Sequence, residues 1–150
     1  MSGDTGLVQS FEIVGGSFSR AGNVSMAIKE ILVELGVEPS LILRAAIAAY
    51  EAEMNVVMYA EKGEMTLHVT PKLIHLRLRD KGPGIADIEL AMQEGYSTAT
   101  EEMREMGFGA GMGLPNIKKN ADRLDIFSEV GKGTALDIFI NIAAKQKGDS

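Results

Sequence analysis

The stretch Asp80-Lys81-Gly82-Pro83-Gly84-Ile85 places an acidic residue at the end of a predicted strand, with two glycines just after it. A second glycine-rich run, Gly107–Leu114, reads Gly-Phe-Gly-Ala-Gly-Met-Gly-Leu. Glycines at this spacing permit positive φ and let backbone N–H groups approach oxyanions closely. An acid beside such a turn, with a glycine-rich loop beyond it, indicates a nucleotide pocket. The alternative for the second run is a flexible surface loop, which this composition also favours.

The bulk composition limits the classes of protein to consider. The chain has 150 residues, 45% hydrophobic and 24% charged, which is typical of one soluble domain with a substantial core. Its net charge of −6 argues against nucleic acid as a partner. The absence of cysteine excludes disulfides and thiolate metal sites. There is no apolar run of about 20 residues and no secretory signal pattern, so we predict a cytoplasmic protein with no membrane partner.

Four helices and two hairpins are predicted, the first two helices from the periodicity of their apolar residues. Apolar residues recur at helical spacing before Gly36, and a second helix is expected from Pro39 or Ser40 to about Tyr59. The second helix is rich in alanine, which predicts close packing against a sheet. A short helix is expected over Asp87–Glu94, and another from Pro115 to about Arg123.

The hairpins follow from alternation of apolar and polar residues. If Pro71 and Lys72 form a turn, Val69 faces Ile74, Leu67 faces Leu76, Met65 faces Leu78 and Glu64 faces Arg79. A final hairpin is expected over Leu124–Val130 and Thr134–Ile142, and a first strand near Phe11–Val14. The fold class is therefore α+β: a two-layer sandwich whose mixed, mostly antiparallel sheet is covered on one face by about three helices.

Asp80 and Thr134 are candidate ligand-binding residues because of their strand register. Asp80 continues the inward register of Leu78, and Thr134 that of Leu136. A buried carboxylate needs a donor, and an adenine amine would be one. The alternative is that Asp80 caps a turn, as aspartates before glycines commonly do.

Glu51 and Asn55 lie four residues apart on the second helix and so share one face. An amide oxygen suits Mg²⁺, and a carboxylate one turn away could activate a hydroxyl. The alternative is an ordinary polar edge on an amphipathic helix. Glu53 points elsewhere, as a solvated or a partnered charge. His68 and His75 face each other on the outer side of the hairpin, and we expect an exposed pair there rather than a metal site.

Taken together, these motifs resemble those of the Bergerat-fold (GHKL) ATPases, the superfamily of sensor histidine kinases and gyrase. Glu51-x-x-x-Asn55 is similar to the N box, Asp80-x-Gly82-x-Gly84 to the first glycine box, and Gly109-x-Gly111-x-Gly113 to the second. Gly131-x-Gly133-Thr134 is similar to the last nucleotide-contacting turn. Within the superfamily the chain most resembles the small bacterial anti-sigma-factor serine kinases, and among these the switch kinase of the stressosome pathway.

The resemblance implies a role for each matching residue. Glu51 would be the catalytic base, and Asn55 the ligand of Mg²⁺. Asp80 would accept a hydrogen bond from the adenine of ATP, and the remaining nucleotide-contacting residues would line the base or contact phosphates. These are Gly82, Gly84, Ile85, Gly109, Gly111, Gly113, Leu114 and Thr134.

Two departures from the family pattern concern the phosphates and the lid. Met58 stands where many relatives have a basic residue, so Lys118 or Arg104 is a candidate for that contact. Residues Thr100–Met106 lengthen the lid before its glycines.

The resemblance implies one histidine-kinase-like ATPase domain over residues 1–150, with flexible tails at 1–5 and 145–150. It implies an ATP- and Mg²⁺-dependent kinase that phosphorylates a serine on a STAS-domain antagonist protein. The alternative is an ATP-dependent binding switch that sequesters a sigma factor or activates a phosphatase. A nucleotide-binding fold without turnover is the third possibility.

Overall fold

The structure is a computed structural model that describes residues 6–93 and 113–142. In these two ranges it has five strands and four α-helices, with a 3₁₀ turn at Phe18–Arg20. The strands are β1 Leu7–Val14, β2 Lys62–Thr70, β3 Leu73–Lys81, β4 Arg123–Glu129 and β5 Gly133–Asn141. The helices are α1 Asn23–Glu34, α2 Pro39–Tyr59, α3 Ile88–Ala91 and α4 Gly113–Asn120. The predicted tails and most of the lid, including Gly109, Gly111 and Arg104, lie outside the described residues.

The five strands form one sheet in the order β1-β2-β3-β5-β4. Every described pairing is antiparallel, so the predicted sheet is present without the parallel component that a mixed sheet would have. The β2–β3 register is the predicted one, with Met65 opposite Leu78 and Glu64 opposite Arg79. Period-2 alternation specifies this register, because a slip of one residue would expose every inward side chain.

The core lies between one face of the sheet and helices α1, α2 and α4. The inward residues of β2, β3 and β5 are buried, as the alternation predicts. The alanines of α2 allow its backbone to approach the sheet, and Ala45, Ala48, Ala49 and Ala52 are completely buried. Where α2 meets β2, Gly63 has no side chain, and an added Cβ would lie 2.9 Å from Val56. The α+β two-layer prediction is therefore confirmed.

Element boundaries differ from the predictions by a few residues. β1 begins at Leu7 rather than near Phe11, and α3 is confined to Ile88–Ala91. The Asp87 side chain caps α3 by accepting from the Leu90 N–H at 3.0 Å. The described part of α4 already includes Gly113, before Pro115, and the helix stops at Asn120. Within the described part of the chain, no helix has the length and hydrophobicity needed to cross a bilayer.

Candidate nucleotide site

Asp80 lies near the end of the central strand β3 and is bonded to the start of β5. Its Oδ1 accepts a hydrogen bond from the Thr134 backbone N–H at 3.0 Å. Burial raises the pKa of the Asp80 carboxyl, and hydrogen bonds from the backbone N–H groups of Thr134 and Gly82 offset part of that rise. The structure therefore brings Asp80 and Thr134 together, on the side of the sheet that their registers predict.

The first glycine box is packed closely against its surroundings. At Gly82, an added Cβ would lie 3.1 Å from the Ala60 side chain and 3.3 Å from Asp80 Oδ1. At Gly84, φ is +78° and an added Cβ would lie 2.5 Å from the Glu129 carbonyl oxygen. The Gly131 N–H donates to the Pro83 carbonyl at 2.9 Å, which ties this loop to the β4–β5 turn. The glycines allow the loop to lie against both α2 and that turn.

Ser128 joins the two glycine turns, although sequence reasoning assigned it no role. Its Oγ accepts from the Ile85 N–H at 2.7 Å and lies 2.8 Å from the Thr134 hydroxyl. It also lies 3.2 Å from the Gly133 carbonyl, to which it can donate. Ser128 is paired with Thr134 across the β4–β5 hairpin, so register was the signal that could have identified it.

Glu51 and Asn55 share the face of α2 that meets α4. The Asn116 side-chain amide donates to Glu51 Oε2 at 3.1 Å. One turn further along α2, the Asn55 Oδ1 lies 3.2 Å from where a Cβ of Gly113 would be. Asn116 was not among the predicted site residues, because the contact joins positions 65 residues apart and needs the two helices to pack together.

The two pairs of predicted residues are linked through the end of α2. Ala60, which follows α2, contacts Gly82, and the Glu61 N–H donates to the Lys81 carbonyl at 2.8 Å. Asn55 is five residues before Ala60, or about 7.5 Å along a helix. The convergence of Glu51, Asn55, Asp80 and Thr134 on one cavity stays a prediction.

Two glycines lie directly beside the candidate groups. A side chain at Gly82 would crowd Asp80 Oδ1, and one at Gly113 would crowd Asn55 Oδ1. A carboxylate that can accept from an adenine amine and an amide oxygen that can ligate Mg²⁺ fit ATP with its metal. Among residues 6–93 and 113–142, no three His, Asp or Glu side chains cluster as a metal site. Mg²⁺ can bind where the protein offers few ligands, because phosphates and water supply most of its ligands.

Two of the predicted nucleotide contacts have apolar side chains that pack on the core to different extents. Leu114 is 7% exposed and belongs to the core, and Ile85 is partly buried against that core. Leu114 can therefore face a ligand mainly through its backbone, whereas the Ile85 side chain is only partly buried. Lys118, proposed as a source of positive charge, is exposed on the last turn of α4.

Glu53 has a structural role, which decides between the solvated and the partnered charge that the sequence left open. It is 2% exposed, and its carboxylate accepts three hydrogen bonds from backbone N–H groups at the start of α1. The donors are Gly22 and Val24 to Oε2, at 3.0 and 3.2 Å, and Ser25 to Oε1, at 2.9 Å. Glu53 is a partnered charge that caps one helix from another.

The expectation of an exposed histidine pair is wrong for His75. The two histidines are opposite each other, as predicted. The His75 Nε2, however, lies 2.8 Å from Asp137 Oδ1, and its ring stacks on Phe139 with centroids 4.5 Å apart. Sequence reasoning missed this because Asp137 and Phe139 come from a strand more than 60 residues away.

Comparisons with known proteins agree with this architecture. Residues 17–140 match the family model described as the histidine kinase-like ATPase domain. The serine/threonine-protein kinase RsbT of Bacillus subtilis is 30% identical over 112 residues, which cover 72% of this chain and 78% of that protein.

Anti-sigma F factors are also similar to the chain. The one from Anoxybacillus flavithermus is 29% identical over 97 residues, and the one from Caldanaerobacter subterraneus is 33% identical over 92. These matches cover 65% and 58% of this chain, and 60% and 61% of the two factors.

Proposed function

Because the chain belongs to the family of histidine kinase-like ATPase domains, we propose that it is an ATP-dependent protein serine/threonine kinase and anti-sigma regulatory factor. Its substrate is a serine on a STAS-domain antagonist protein. The observation that carries the proposal is the arrangement around the last turns of α2. Glu51 and Asn55 share one face there, and the following Ala60 packs against Gly82, beside Asp80.

Asp80 holds the adenine end of the nucleotide in this proposal. Its Oδ1 is engaged by the Thr134 N–H, so Oδ2 is the oxygen that accepts from the exocyclic amine. The Ser128 hydroxyl contacts the Ile85 backbone N–H on one side and the Thr134 hydroxyl on the other. This bonding supports recognition of adenine by a preformed acceptor, which needs little rearrangement on binding.

Asn55 holds Mg²⁺ through its side-chain oxygen, and the metal's chemistry is to neutralise charge on the phosphates. The closeness of Asn55 to Gly113 supports this role, because the phosphates would then lie at the described start of α4. Gly109 and Gly111 stay predicted phosphate contacts. Phosphoryl transfer depends mostly on positioning and charge stabilisation, so few side chains are required.

Glu51 is the general base for the substrate serine. Its carboxylate takes the proton of the serine hydroxyl as the bond from the serine oxygen to the γ-phosphorus forms. The bond from that phosphorus to the bridging oxygen breaks, and ADP leaves. The relative named as a serine/threonine-protein kinase, RsbT, supports this class of reaction.

The test is phosphate transfer from radiolabelled ATP to STAS proteins encoded nearby. Losing a general base typically slows a reaction by about 10²–10⁴-fold, so Glu51→Ala should bind ATP normally and transfer phosphate at least 100-fold more slowly. Glu30→Ala, the same substitution at an exposed position of α1, is the control and should be fully active. Transfer by Glu51→Ala at the wild-type rate would exclude Glu51 as the base.

A binding switch is the second candidate, and the similarity to anti-sigma F factors favours it. In that case nucleotide sets a conformation, and the protein acts by sequestering a sigma factor or activating a phosphatase. Capture of partners with and without ATP, followed by a phosphoserine assay, separates the two. Capture without phosphoserine would support the switch, whereas phosphoserine that depends on Glu51 would support the kinase. Cytoplasmic localisation stays a prediction under both.

A further inference from the structure

Asn116 is bonded to the proposed catalytic base from a neighbouring helix. Its amide donates to Glu51 Oε2 at 3.1 Å, and both side chains are half-buried. A neutral donor orients a carboxylate and leaves its negative charge in place, whereas a lysine or arginine at that distance would neutralise it. A carboxylate held in this way keeps its second oxygen to accept a proton.

The position of Asn116 is determined by how α4 lies on α2. The two helices run antiparallel, because Gly113 is close to Asn55, Asn116 to Glu51 and Asn120 to Arg44. The Arg44 guanidinium donates to the Asn120 carbonyl at 3.0 Å and to Asp122 Oδ1 at 3.2 Å.

Asn116 is also held within its own helix. The Asn120 amide donates to the Asn116 carbonyl at 2.8 Å. The α4 backbone that carries Asn116 is therefore held at one end by Arg44, and at the other end Gly113 lies close to Asn55.

We propose that Asn116 is a positioning residue for the phosphoryl transfer: it holds Glu51 Oε2 so that Oε1 faces the substrate hydroxyl. The inference rests on the proposed function, since it concerns the orientation of the base. In this proposal Asn116 acts on the reaction through Glu51 and makes no contact of its own with the serine or the nucleotide. It therefore affects the rate of transfer rather than the affinity for ATP.

The first experiment separates positioning from a general loss of structure. Asn116→Ala removes a hydrogen bond to a charged group, so kcat should fall about 10-fold, while the KM for ATP stays the same. Asn116→Asp keeps the shape and sets a second carboxylate against Glu51, so its kcat should fall further. Asn141→Ala, at the exposed end of β5, is the matched control and should keep full activity.

The second experiment is a double-mutant cycle with Glu51→Gln. If Asn116 acts through Glu51, Asn116→Ala should change kcat less than about 2-fold in the Glu51→Gln background. An equal loss in both backgrounds would show that Asn116 acts by another route, and the inference would be wrong. A second cycle uses Glu51→Ala, because glutamine could still accept from the Asn116 amide; measured on the midpoint of urea unfolding, it tests the contact without any assay of activity. Additive shifts of that midpoint would show that the two side chains do not interact.

The outcomes distinguish this inference from the proposed function. An active wild-type protein whose Asn116→Ala variant is equally fast would overturn the inference alone. A wild-type protein that transfers no phosphate to any STAS protein would overturn the kinase assignment, and with it the role of Asn116.

Discussion

At the scale of single residues, Asp80, the proposed adenine acceptor, is buried at some expense of stability. Burial raises its pKa above the ordinary value of 3.8 despite two backbone hydrogen bonds. For an acid, a folded-state pKa above the unfolded one means that stability falls as pH rises through the interval between them. Above that interval Asp80 therefore contributes less to stability than it does in acid, which is the expected behaviour of a side chain kept for a ligand.

Asp80→Asn should separate these two properties. The amide oxygen of asparagine can still accept from the Thr134 N–H, but its NH₂ group cannot accept from an adenine amine. We expect ATP affinity to fall about 10-fold or more, with no loss of stability at pH 7. Calorimetric titration with ATP and urea unfolding of the same samples measure both. Equal ATP affinity in the two proteins would count against the adenine assignment.

At the scale of elements, helix α1 is joined to helix α2 by a buried charge. The three N–H groups that Glu53 accepts from belong to the start of α1, where a helix has no intrahelical acceptors for them. A carboxylate there is also favoured by the helix dipole. Glu53 thereby fixes α1 against the same helix that carries Glu51 and Asn55.

Glu53→Gln should be strongly destabilising despite its nearly identical shape. Whichever way the new amide turns, its NH₂ group faces at least one backbone N–H and leaves that donor unsatisfied. A buried unsatisfied group costs about 1–3 kcal/mol, and this is the loss expected in urea unfolding. Glu51→Gln is the matched control on the same helix, since the bond that Glu51 accepts within the described residues comes from a neutral amide, which glutamine can also accept. Equal stability losses in the two variants would contradict the capping role.

The turns at Gly84 and Gly131 allow a comparison of backbone strain with close packing. Their φ values are almost the same, +78° and +82°. An added Cβ at Gly131 would meet nothing within 4 Å, whereas at Gly84 it would lie 2.5 Å from the Glu129 carbonyl.

Gly131→Ala should therefore lose only the stability that corresponds to placing alanine in the left-handed region, about 1–2 kcal/mol. Gly84→Ala should lose that amount of stability for the same reason. Its added Cβ should also push the first glycine box away from β4. Thermal unfolding and ATP titration of both variants test this. The idea that Gly84 is required for close approach would be wrong if the two alanine variants lost equal stability and equal affinity.

At the scale of the whole molecule, the outer face of the sheet carries a charge network away from the candidate site. Asp137 on β5 is bonded to His75 at 2.8 Å and to Arg79 at 3.1 Å, both on β3. Burial raises the pKa of Asp137, but the hydrogen bond from His75 and the charge and hydrogen bond of Arg79 outweigh it, so the pKa is lowered. The network supports the β3–β5 pairing that holds Asp80 beside Thr134.

The stability of the protein should depend on this network in acid. Because the pKa of Asp137 is lower in the folded state, its contribution is present above the ordinary value of 3.8 and is lost as pH falls through the folded value. Asp137→Asn should therefore make the loss of stability below about pH 4 less steep. Urea unfolding between pH 2.5 and about 7 measures the slope. His75→Gln and Arg79→Gln should each reduce the slope in part, and unchanged slopes in all three variants would exclude the network as a source of acid lability.

Much of the fold could be predicted because it depends on local patterns. Alternation along β2 and β3 determined which residues face the core, so Met65, Leu67 and Leu76 were placed correctly along with the hairpin register. The glycine boxes and the Glu51–Asn55 spacing identified the family for the same reason. Boundaries were less accurate, as at the start of β1, because the last residues of an element depend on neighbours elsewhere in the chain.

The sequence by itself determined that these strands are present, the register of the β2–β3 hairpin, the order of the motifs and the family. Only the tertiary structure decided which distant groups meet: Glu53 with the start of α1, Asn116 with Glu51, and His75 with Asp137. The physical reason is that periodicity assigns a residue to a face of its own helix or strand, whereas a polar partner depends on how two elements pack. Glu51 and Glu53 are two residues apart on one helix. Because α4 and α1 pack on different sides of that helix, Glu51 contacts Asn116 at the candidate site and Glu53 caps the start of α1.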